Sequence, residues 1–231
     1  MKPYYDDGKG IVIYHGDCRE VAPDLAGIGI VVTDPPYMFG MASTAQEGKA
    51  GGWGDMMNAA TFYAGLLKDW RTLFSGRTGA AWVCNSWRSF PVLARSAFEA
   101  RWPIESLLVW DKIGIGPGGP RGLRPTYELA ALFVEGDYRV VDRSTPDIWR
   151  ERPGSKTTDH TAEKPVGLMA RMIAAGNDSG SVLDPFAGSG TTLVAAKNLG
   201  RRAIGIEIEE RYCEIAAERL SQEVLDLGGA A

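Results

Sequence analysis

The sequence has few of the residues that build disulfide frameworks and metal sites. Its 231 residues include two histidines and three cysteines. The cysteines, Cys18, Cys84 and Cys213, lie far apart and without Cys-x-x-Cys spacing. Neither a disulfide framework nor a zinc site is expected, so we assign no metal. A reducing compartment, the cytoplasm, is the expected location.

Long apolar stretches are missing too. No apolar run approaches the roughly 18 residues of a membrane span, and the N-terminal segment has no apolar core typical of a secretory signal. We therefore expect neither a membrane protein nor a secreted one. With 45% hydrophobic and 23% charged residues, the composition is that of a globular protein. The length predicts one domain over residues 1–231.

The chain has no overall excess of positive charge, since its net charge is −4. The acidic groups concentrate at the ends. Residues 1–34 carry 3 basic and 6 acidic groups and residues 201–231 carry 4 and 7, whereas residues 35–200 carry 18 and 16. Phosphate binding needs local positive charge rather than a basic whole. A nucleic-acid-binding face, if present, is therefore expected in the middle section.

Seven short apolar runs predict β-strands. They span residues 11–14, 28–33, 80–84, 104–110, 129–134, 181–183 and 203–206. Helical patterns alternate with several of them. These patterns run from Asp55 as N-cap to about Phe74, from Ser86 or Trp87 to near Ala100, and over 164–175, 191–199 and 209–220. The alternation predicts an α/β fold with a mostly parallel sheet.

A rigid acidic turn is predicted at the end of one strand. Asp34-Pro35-Pro36-Tyr37 follow the apolar run 28–33, and open α/β sheets bind ligands at the carboxyl ends of their strands. The two prolines stiffen the turn, so that a carboxylate, one or two carbonyls and a ring keep a fixed relation. This set suits a planar amino group on an aromatic base. A plain strand-ending turn with a buried tyrosine is the alternative.

A glycine-rich turn between a strand and a helix is the second motif. It reads Asp184-Pro185-Phe186-Ala187-Gly188-Ser189-Gly190-Thr191-Thr192. Its glycines let the backbone approach a ligand, and the helix start supplies N–H groups. The absence of a lysine after Gly190 excludes a P-loop. The carboxylate of Asp184 disfavours a pyrophosphate and favours a cationic group such as an α-ammonium.

Three further residues lie at ends of predicted elements. Glu207 comes 19 residues after Gly188, where this class of fold holds ribose hydroxyls, although a solvated acid at a helix start is the alternative. Asp17 could accept a hydrogen bond from an adenine amino group or cap the following helix. Lys164 could meet a carboxylate or stay exposed at a helix start.

These motifs resemble those of the DNA amino-methyltransferases that use S-adenosylmethionine. The resemblance is carried by Asp34-Pro35-Pro36-Tyr37, the nine-residue glycine motif, His160…Glu163-Lys164-Pro165 and Gly205-Ile206-Glu207. The catalytic motif precedes the glycine motif, which resembles the circularly permuted beta group. The resemblance implies a Rossmann-like, seven-stranded, mostly parallel sheet with helices on both faces.

The resemblance also implies methyl transfer to an exocyclic amino group of a DNA base. Adenine N6 is favoured, because the family's adenine members usually carry Asp or Asn before Pro-Pro and its cytosine N4 members usually carry Ser. Asp34, Pro35, Pro36 and Tyr37 would form the catalytic turn. The cofactor S-adenosylmethionine would be bound by Asp17, Cys18, Lys164, Asp184, Phe186, Gly188, Ser189, Gly190, Thr191, Thr192 and Glu207.

Other activities remain open at this stage. They are cytosine N4 methylation, methylation of an RNA or protein amino group, and a non-catalytic nucleic-acid-binding relative. The motif order argues against the RNA and protein enzymes, which usually place the glycine motif first. The intact Asp34 and Tyr37 argue against a non-catalytic relative.

The resemblance makes double-stranded DNA the expected partner. Segments 112–126 and 136–160, which fit no regular element, are the candidate DNA-recognition segments, and 38–54 is the candidate active-site loop. DNA contacts are expected from Arg121, Arg124, Arg150, Arg152 and Lys156. Arg121 or Arg124 is expected to read a base, because flanking glycines let that loop approach a groove. Resemblance to the beta group also makes a homodimer a candidate assembly.

Overall fold

Strands and helices alternate along the chain. The computed structural model describes residues 2–37, 53–74, 76–114, 122–153, 163–177 and 179–222. The elements are β1 (Tyr5–Asp6), β2 (Ile11–His15), α1 (Cys18–Val21), a 3₁₀ turn (Ala22–Asp24), β3 (Ile28–Thr33), α2 (Trp53–Leu73), β4 (Gly79–Asn85), α3 (Phe90–Ala100), β5 (Ile104–Asp111), β6 (Tyr127–Glu135), β7 (Ile148–Arg150), α4 (Val166–Ala174), β8 (Ser181–Asp184), α5 (Thr191–Asn198), β9 (Ala203–Glu207) and α6 (Glu210–Ser221). None of the described helices is long and apolar enough to cross a membrane.

The described strands form one sheet in the order β1-β2-β9-β8-β3-β4-β6-β5-β7. Only β1 and β6 run antiparallel to their neighbours, so the prediction of a mostly parallel sheet is confirmed. All seven predicted strands are present, but the predicted count of seven is too low, because the described sheet has nine strands. The two extra strands, β1 and β7, have 2 and 3 residues, too few to show a hydrophobic period in the sequence.

Helices cover both faces of the sheet, as predicted. Alternate residues of β3 show this arrangement. Ile30 and Val32 belong to the apolar cluster that includes residues of α4, α5 and α6. Val31 belongs to the cluster that includes residues of α1, α2 and α3. Because both faces are covered, every residue of β3 is buried, which explains why the sequence shows a continuous apolar run there.

Three predicted helix starts are wrong by two to four residues. Helix α2 begins at Trp53, so Asp55 lies inside it rather than at its N-cap. Helix α3 begins at Phe90, because the residues after β4 form a separate hydrogen-bonded turn. Helix α4 begins at Val166, since Pro165 keeps an extended backbone (φ −61°, ψ 134°). The predicted helices 191–199 and 209–220 agree with α5 and α6 to within one residue.

One edge of the sheet collects the ends of most strands. Strands β2, β3, β4, β5, β7, β8 and β9 all end there and β6 begins there, and we call it the carboxyl edge. The described parts of segment 112–126 lie between β5 and β6 at this edge. Residues 136–147 begin at the opposite edge, where Val141 N donates to Ala175 O at 2.9 Å. Of the described part of segment 136–160, it is β7 and residues 151–153 that reach the carboxyl edge.

Candidate active site

The turn after β3 is held at the carboxyl edge by contacts from both sides. Thr33 ends the strand, and the Asp34-Pro35-Pro36-Tyr37 segment follows it. From α2, the hydroxyl of Tyr63 donates to the carbonyl of Pro36 at 2.5 Å. Burial and the nearby charge of Asp34 raise the pKa of Tyr63, so the phenol stays a donor. The carbonyl of Pro36 is therefore oriented by the protein.

A buried lysine holds the carboxylate of this turn. Lys164, whose side chain is 7% exposed, contacts Asp34 Oδ2 and lies 3.2 Å from Glu128 Oε2. Its Nζ is 5.3 Å from the centre of the Tyr37 ring, and the Tyr37 hydroxyl donates to Glu128 Oε2 at 3.3 Å. Lys112 contacts the other oxygen of Glu128. We call these five residues the Lys164 cluster.

Charges in the Lys164 cluster stabilise one another despite burial. Burial alone would lower the pKa of Lys164, but Asp34 and Glu128 outweigh it and the pKa lies above its ordinary value. Burial alone would raise the pKa of Glu128, but the charges of Lys164 and Lys112 hold it below its ordinary value. Burial and the charge of Asp34 raise the pKa of Tyr37. Near neutral pH the cluster therefore contains a cationic Lys164, an anionic Glu128 and a neutral Tyr37.

The second oxygen of Asp34 is available for another donor. Oδ2 is occupied by Lys164, whereas Oδ1 is buried and has no hydrogen-bond partner among the residues that the structure describes. A buried acceptor without a partner costs free energy, and such atoms in native proteins call for an explanation. This geometry leaves one fixed acceptor, at the centre of the carboxyl edge, ready for an N–H group.

A separate pocket of about 140 Å³ lies at the ends of β2, β8 and β9. It brings together four residues that the sequence assigned to the cofactor: Asp17, Cys18, Phe186 and Glu207. Gly16, Arg19, Phe62, Pro185, Ile206 and Ile208 complete its lining. Apolar walls with carboxylates at the rim suit a flat heterocycle attached to a hydroxylated sugar.

Glu207 is oriented toward the glycine turn. Its Oε2 accepts from Gly188 N at 2.8 Å, and its Oε1 accepts from Glu209 N at 2.9 Å. Gly188 has a φ of +50°, a region that favours glycine. Each carboxylate oxygen retains a lone pair, so Glu207 can also accept from a pair of hydroxyls in the pocket.

Asp17 caps the N-terminus of α1, one of the two roles that the sequence analysis gave it. Its Oδ1 accepts from Arg19 N at 2.9 Å, and Oδ2 pairs with the Arg19 guanidinium at 2.5 Å. These contacts place its carboxylate at the start of α1, on the lining of the pocket. Each oxygen of Asp17 already accepts two contacts from Arg19, so a hydrogen bond from a ligand would have to replace one of them.

Asp184 connects the glycine turn to the catalytic turn. It is 3% exposed, and its Oδ1 accepts from Thr33 Oγ1 at 2.8 Å and from Phe186 N at 3.1 Å. Burial raises the pKa of Asp184 to about 6. The described contacts of this carboxylate therefore lie within the protein, between the tips of β3 and β8.

The other glycine-turn residues are held by an ion pair that the sequence analysis missed. Glu163 and Arg219 lie 2.5 Å apart. Arg219 donates to Ser189 O at 2.7 Å, and Glu163 accepts from Thr191 Oγ1 at 3.2 Å. Gly190 has a φ of +83°, and a Cβ there would lie 2.9 Å from Cβ of a residue of α6. These contacts fix the shape of the turn.

Seven of the eleven residues that the sequence assigned to the cofactor are not part of the lining of the 140 Å³ pocket: Lys164, Asp184, Gly188, Ser189, Gly190, Thr191 and Thr192. Lys164 contacts the catalytic turn, and Thr192 is 1% exposed in the first turn of α5. The sequence analysis did not assign Tyr63, Glu128 or Arg219. Glu163 was quoted in a motif but given no role. Glu128 could have been indicated only as a polar residue directly before a predicted strand, and Glu163 only by its place within a quoted motif.

Three of the five predicted DNA-contacting residues lie in the described part of the chain. Arg124, Arg150 and Arg152 are exposed and lie near the carboxyl edge, Arg124 before the beginning of β6 and the other two at the end of β7. Arg150 pairs with Asp111 at 3.1 Å. Arg121 and Lys156 lie outside the described residues, as does most of the candidate loop 38–54.

The sequence profile of the DNA methylase family of N6 and N4 methyltransferases matches residues 28–218. The chain belongs to this family. Type II methyltransferase M2.DpnII of Streptococcus pneumoniae is 26% identical over 252 residues, which cover 96% of this chain and 93% of that protein. The DNA adenine methyltransferase YhdJ of Escherichia coli (strain K12) is 25% identical over 249 residues, covering 90% and 82%. The crystal structure of the M1.HpyAVI–SAM complex is 25% identical, with a TM-score of 0.67 and 90% and 98% coverage.

The methyltransferase is an enzyme that uses S-adenosylmethionine and acts on DNA. The cofactor pocket fits this molecule by its own chemistry, because the oriented Glu207 suits the ribose hydroxyls and the Phe186 wall suits the adenine ring. The recognition, fold class and cofactor inferred from the sequence are thus confirmed. The roles of individual site residues stay predictions.

Proposed function

We propose that the methyltransferase methylates the exocyclic N6 amino group of adenine in duplex DNA, with Asp34 as the catalytic residue. The observation that carries this proposal is that only one of the two carboxylate oxygens of Asp34 has a partner among the described residues. Lys164 occupies Oδ2, and Oδ1 is a buried acceptor without a partner among the described residues. An exocyclic amino group supplies the N–H donor that this oxygen lacks.

Asp34 and Pro35 activate the amine by accepting its two hydrogens. The lone pair of an exocyclic amine is delocalised into the ring, so the amine is a poor nucleophile. Hydrogen bonds to Asp34 Oδ1 and to the carbonyl of Pro35 draw electron density onto nitrogen and fix its orientation. S-adenosylmethionine supplies the electrophilic methyl group when bound. Positioning and preorganised electrostatics carry the rate, with no covalent enzyme intermediate.

The target base must leave the duplex to reach Asp34, which costs a few kcal/mol. Stacking on Tyr37 offsets this cost by about 1–3 kcal/mol. The Tyr37 hydroxyl contacts Glu128, and this contact orients the ring beside the carboxylate. Lys164 is proposed as a positioning residue for the same turn rather than a cofactor ligand, because its described contacts are Asp34, Glu128 and the Tyr37 ring.

Cofactor binding is assigned to the glycine turn and its surroundings. Glu207 would hold the ribose hydroxyls, Asp17 and Cys18 the adenine edge, and Asp184 the methionine ammonium. Gly188, Ser189, Gly190, Thr191 and Thr192 would shape the backbone around the methionine part. Arg124, Arg150 and Arg152, with Arg121 and Lys156, are the proposed DNA contacts. A homodimer and a cytoplasmic location are further parts of this proposal.

Nucleoside analysis tests the proposal directly. The parent enzyme is incubated with methyl-labelled S-adenosylmethionine and unmethylated plasmid DNA, and the DNA is digested to nucleosides. Label in N6-methyl-2′-deoxyadenosine supports the proposal, and label in N4-methyl-2′-deoxycytidine would identify cytosine as the target base instead. Parallel incubations replace the plasmid by total RNA or by a protein mixture, and label in either of these but not in DNA would overturn the assignment. The Asp34→Ala variant serves as the control for enzyme-dependent transfer.

A further inference from the structure

Trp87 differs from the other tryptophans of the protein in its exposure. It is 55% exposed, whereas each of the other five tryptophans with a described side chain is at most 4% exposed. More than half of the surface of this large aromatic residue therefore stays in contact with solvent. A single exposed aromatic residue is ordinary on a protein surface, so the significance of Trp87 depends on its position beside the catalytic turn and on its neighbour Arg88.

The turn that carries Trp87 is rigid. Strand β4 ends at Asn85, which is 1% exposed, and its Oδ1 accepts from Ser86 N at 2.8 Å and from the Ser89 hydroxyl. Ser89 is itself 3% exposed, and the hydroxyls of Ser86 and Ser89 lie 2.8 Å apart. Phe90 N donates to Ser86 O at 2.9 Å. This network fixes both ends of the turn, so Trp87 and Arg88 project from a preorganised base.

The turn lies next to the catalytic turn. Strand β4 pairs in parallel with β3, and Val83 is opposite Thr33 in the register. Asp34 follows Thr33, and Trp87 comes four residues after Val83, so both turns leave the same edge of adjacent strands. Cys84 shows that the strand ends are close, because burial and then the charge of Asp34 raise the pKa of its thiol.

Arg88 adds a positive charge to the exposed ring. Its guanidinium carbon lies 5.3 Å from the centre of the Trp87 ring, and the residue is exposed. It makes no ion pair with any residue in the described ranges. A stacked indole and guanidinium present an aromatic face and a cation together. This combination binds nucleic-acid bases and phosphates.

We propose that Trp87 and Arg88 form a DNA-binding contact beside the target base. This inference rests on the proposed function, because it needs a base that leaves the duplex at Asp34. The indole stacks on a base next to the vacated position, where unstacking exposes an aromatic face. The Arg88 guanidinium pairs with a backbone phosphate. The contact lies outside segments 112–126 and 136–160, so it adds a third point of attachment.

The chain offers a matched control in Phe98. Phe98 is 79% exposed and lies near the end of α3, which runs from the carboxyl edge to the opposite edge. Trp87→Ala and Phe98→Ala therefore each remove one exposed aromatic ring, at opposite edges of the same sheet. Circular dichroism and calorimetric titration with S-adenosylmethionine check that folding and cofactor binding are retained in both variants.

Equilibrium binding to a short mixed-sequence duplex, measured over a range of salt concentrations, separates the two contacts. Trp87→Ala should weaken binding by between about fivefold and 100-fold, with an unchanged salt dependence, and Trp87→Phe should retain part of the affinity. Arg88→Ala should lower the slope of log affinity against log salt by about 0.9, the value for one phosphate. Phe98→Ala should bind as the parent does.

Base flipping gives an independent readout. Sequencing of the methylated plasmid DNA first identifies the target position, and a duplex that carries 2-aminopurine there should fluoresce less on binding Trp87→Ala than on binding the parent. Parent-like affinity and fluorescence in Trp87→Ala would overturn the inference. A change in sedimentation of the DNA-free protein, with unchanged DNA binding, would also overturn it and assign Trp87 to a contact between copies. Failure of the proposed function has a different readout: the parent enzyme would then transfer no methyl group to plasmid DNA.

Discussion

Replacing Lys164 by methionine tests whether a buried cation positions the catalytic carboxylate. Lys164→Met keeps the length of the side chain but removes the ammonium that contacts Asp34 Oδ2 and Glu128 Oε2. Two carboxylates, with side chains 25% and 20% exposed, are then left without their shared counter-ion. Repulsion and hydration should turn the Asp34 carboxylate away from its present orientation, and Oδ1 should no longer meet the target amine.

The expected magnitudes follow from the burial of the pair. Removing one partner of a buried ion pair costs about 3–5 kcal/mol of stability, and the partial exposure of Asp34 and Glu128 places the expected loss toward the lower end. Losing one preorganised electrostatic group at an active site lowers kcat by about 10²-fold to 10³-fold. The Kd for S-adenosylmethionine should stay at the parent value, because the described contacts of Lys164 do not include the cofactor pocket.

Single-turnover methylation of plasmid DNA, thermal unfolding and calorimetric titration with S-adenosylmethionine measure the three quantities. Lys197→Met is the matched control. Lys197 is a half-buried lysine whose Nζ donates to Leu220 O at 2.5 Å, at the end of α6. The control should lose about 1 kcal/mol of stability and no kcat. If Lys164→Met retained parent kcat and lost cofactor affinity, Lys164 would be a cofactor ligand, as the sequence motif suggested.

Three further predictions concern the catalytic turn and two carboxylates assigned to the cofactor, Glu207 and Asp184. Asp34→Ala should abolish methyl transfer and leave the calorimetric Kd for S-adenosylmethionine unchanged. Tyr37→Phe should retain far more activity than Tyr37→Ala, because stacking rather than the hydroxyl binds the base. An inactive Tyr37→Phe variant would contradict the stacking role. Glu207→Ala should weaken cofactor binding by about 1–3 kcal/mol, and unchanged affinity would remove it from the site. Burial raises the pKa of Asp184 to about 6, above its value of about 3.9 in an unfolded chain. The folded state therefore holds the proton more tightly, and stability should fall as the pH rises from about 4 to 6. Cofactor affinity should fall as the pH drops below about 6, because a neutral Asp184 no longer pairs with an ammonium, and Asp184→Asn should show neither dependence.

Strands β3, β4 and β8 could be predicted because every residue of each is buried. The run 28–33 is apolar up to its last residue, Thr33, and β3 has the predicted bounds. The short β7 could not be predicted in this way, because its three residues alternate between exposed and buried. Its position depends on pairing with β5, a tertiary contact with no local signal.

The positions of the motifs could be predicted from the sequence, but their connections could not. Asp34 and Lys164 each lie in a quoted motif, yet their contact joins residues 130 positions apart. Glu128 belongs to no motif and reaches the cluster only because β6 runs antiparallel and begins at the carboxyl edge. Local pattern specifies the end of each strand, whereas the neighbours of that end depend on strand order.

Strand order also explains why the chain tolerates a catalytic motif that precedes its cofactor motif. Strands β3 and β8 are adjacent and parallel, with Val31 opposite Leu183, so both motifs emerge at the same edge. A hydrogen bond from Thr33 to Asp184 joins their tips at 2.8 Å. Methyl transfer requires the two tips to be neighbours in space, which the pairing of β3 with β8 provides regardless of which strand comes first in the chain. Exchanging the order of the segments that carry them changes the loops at the ends of the sheet but not this contact, so the geometry of the reaction is a property of the sheet rather than of the sequence order.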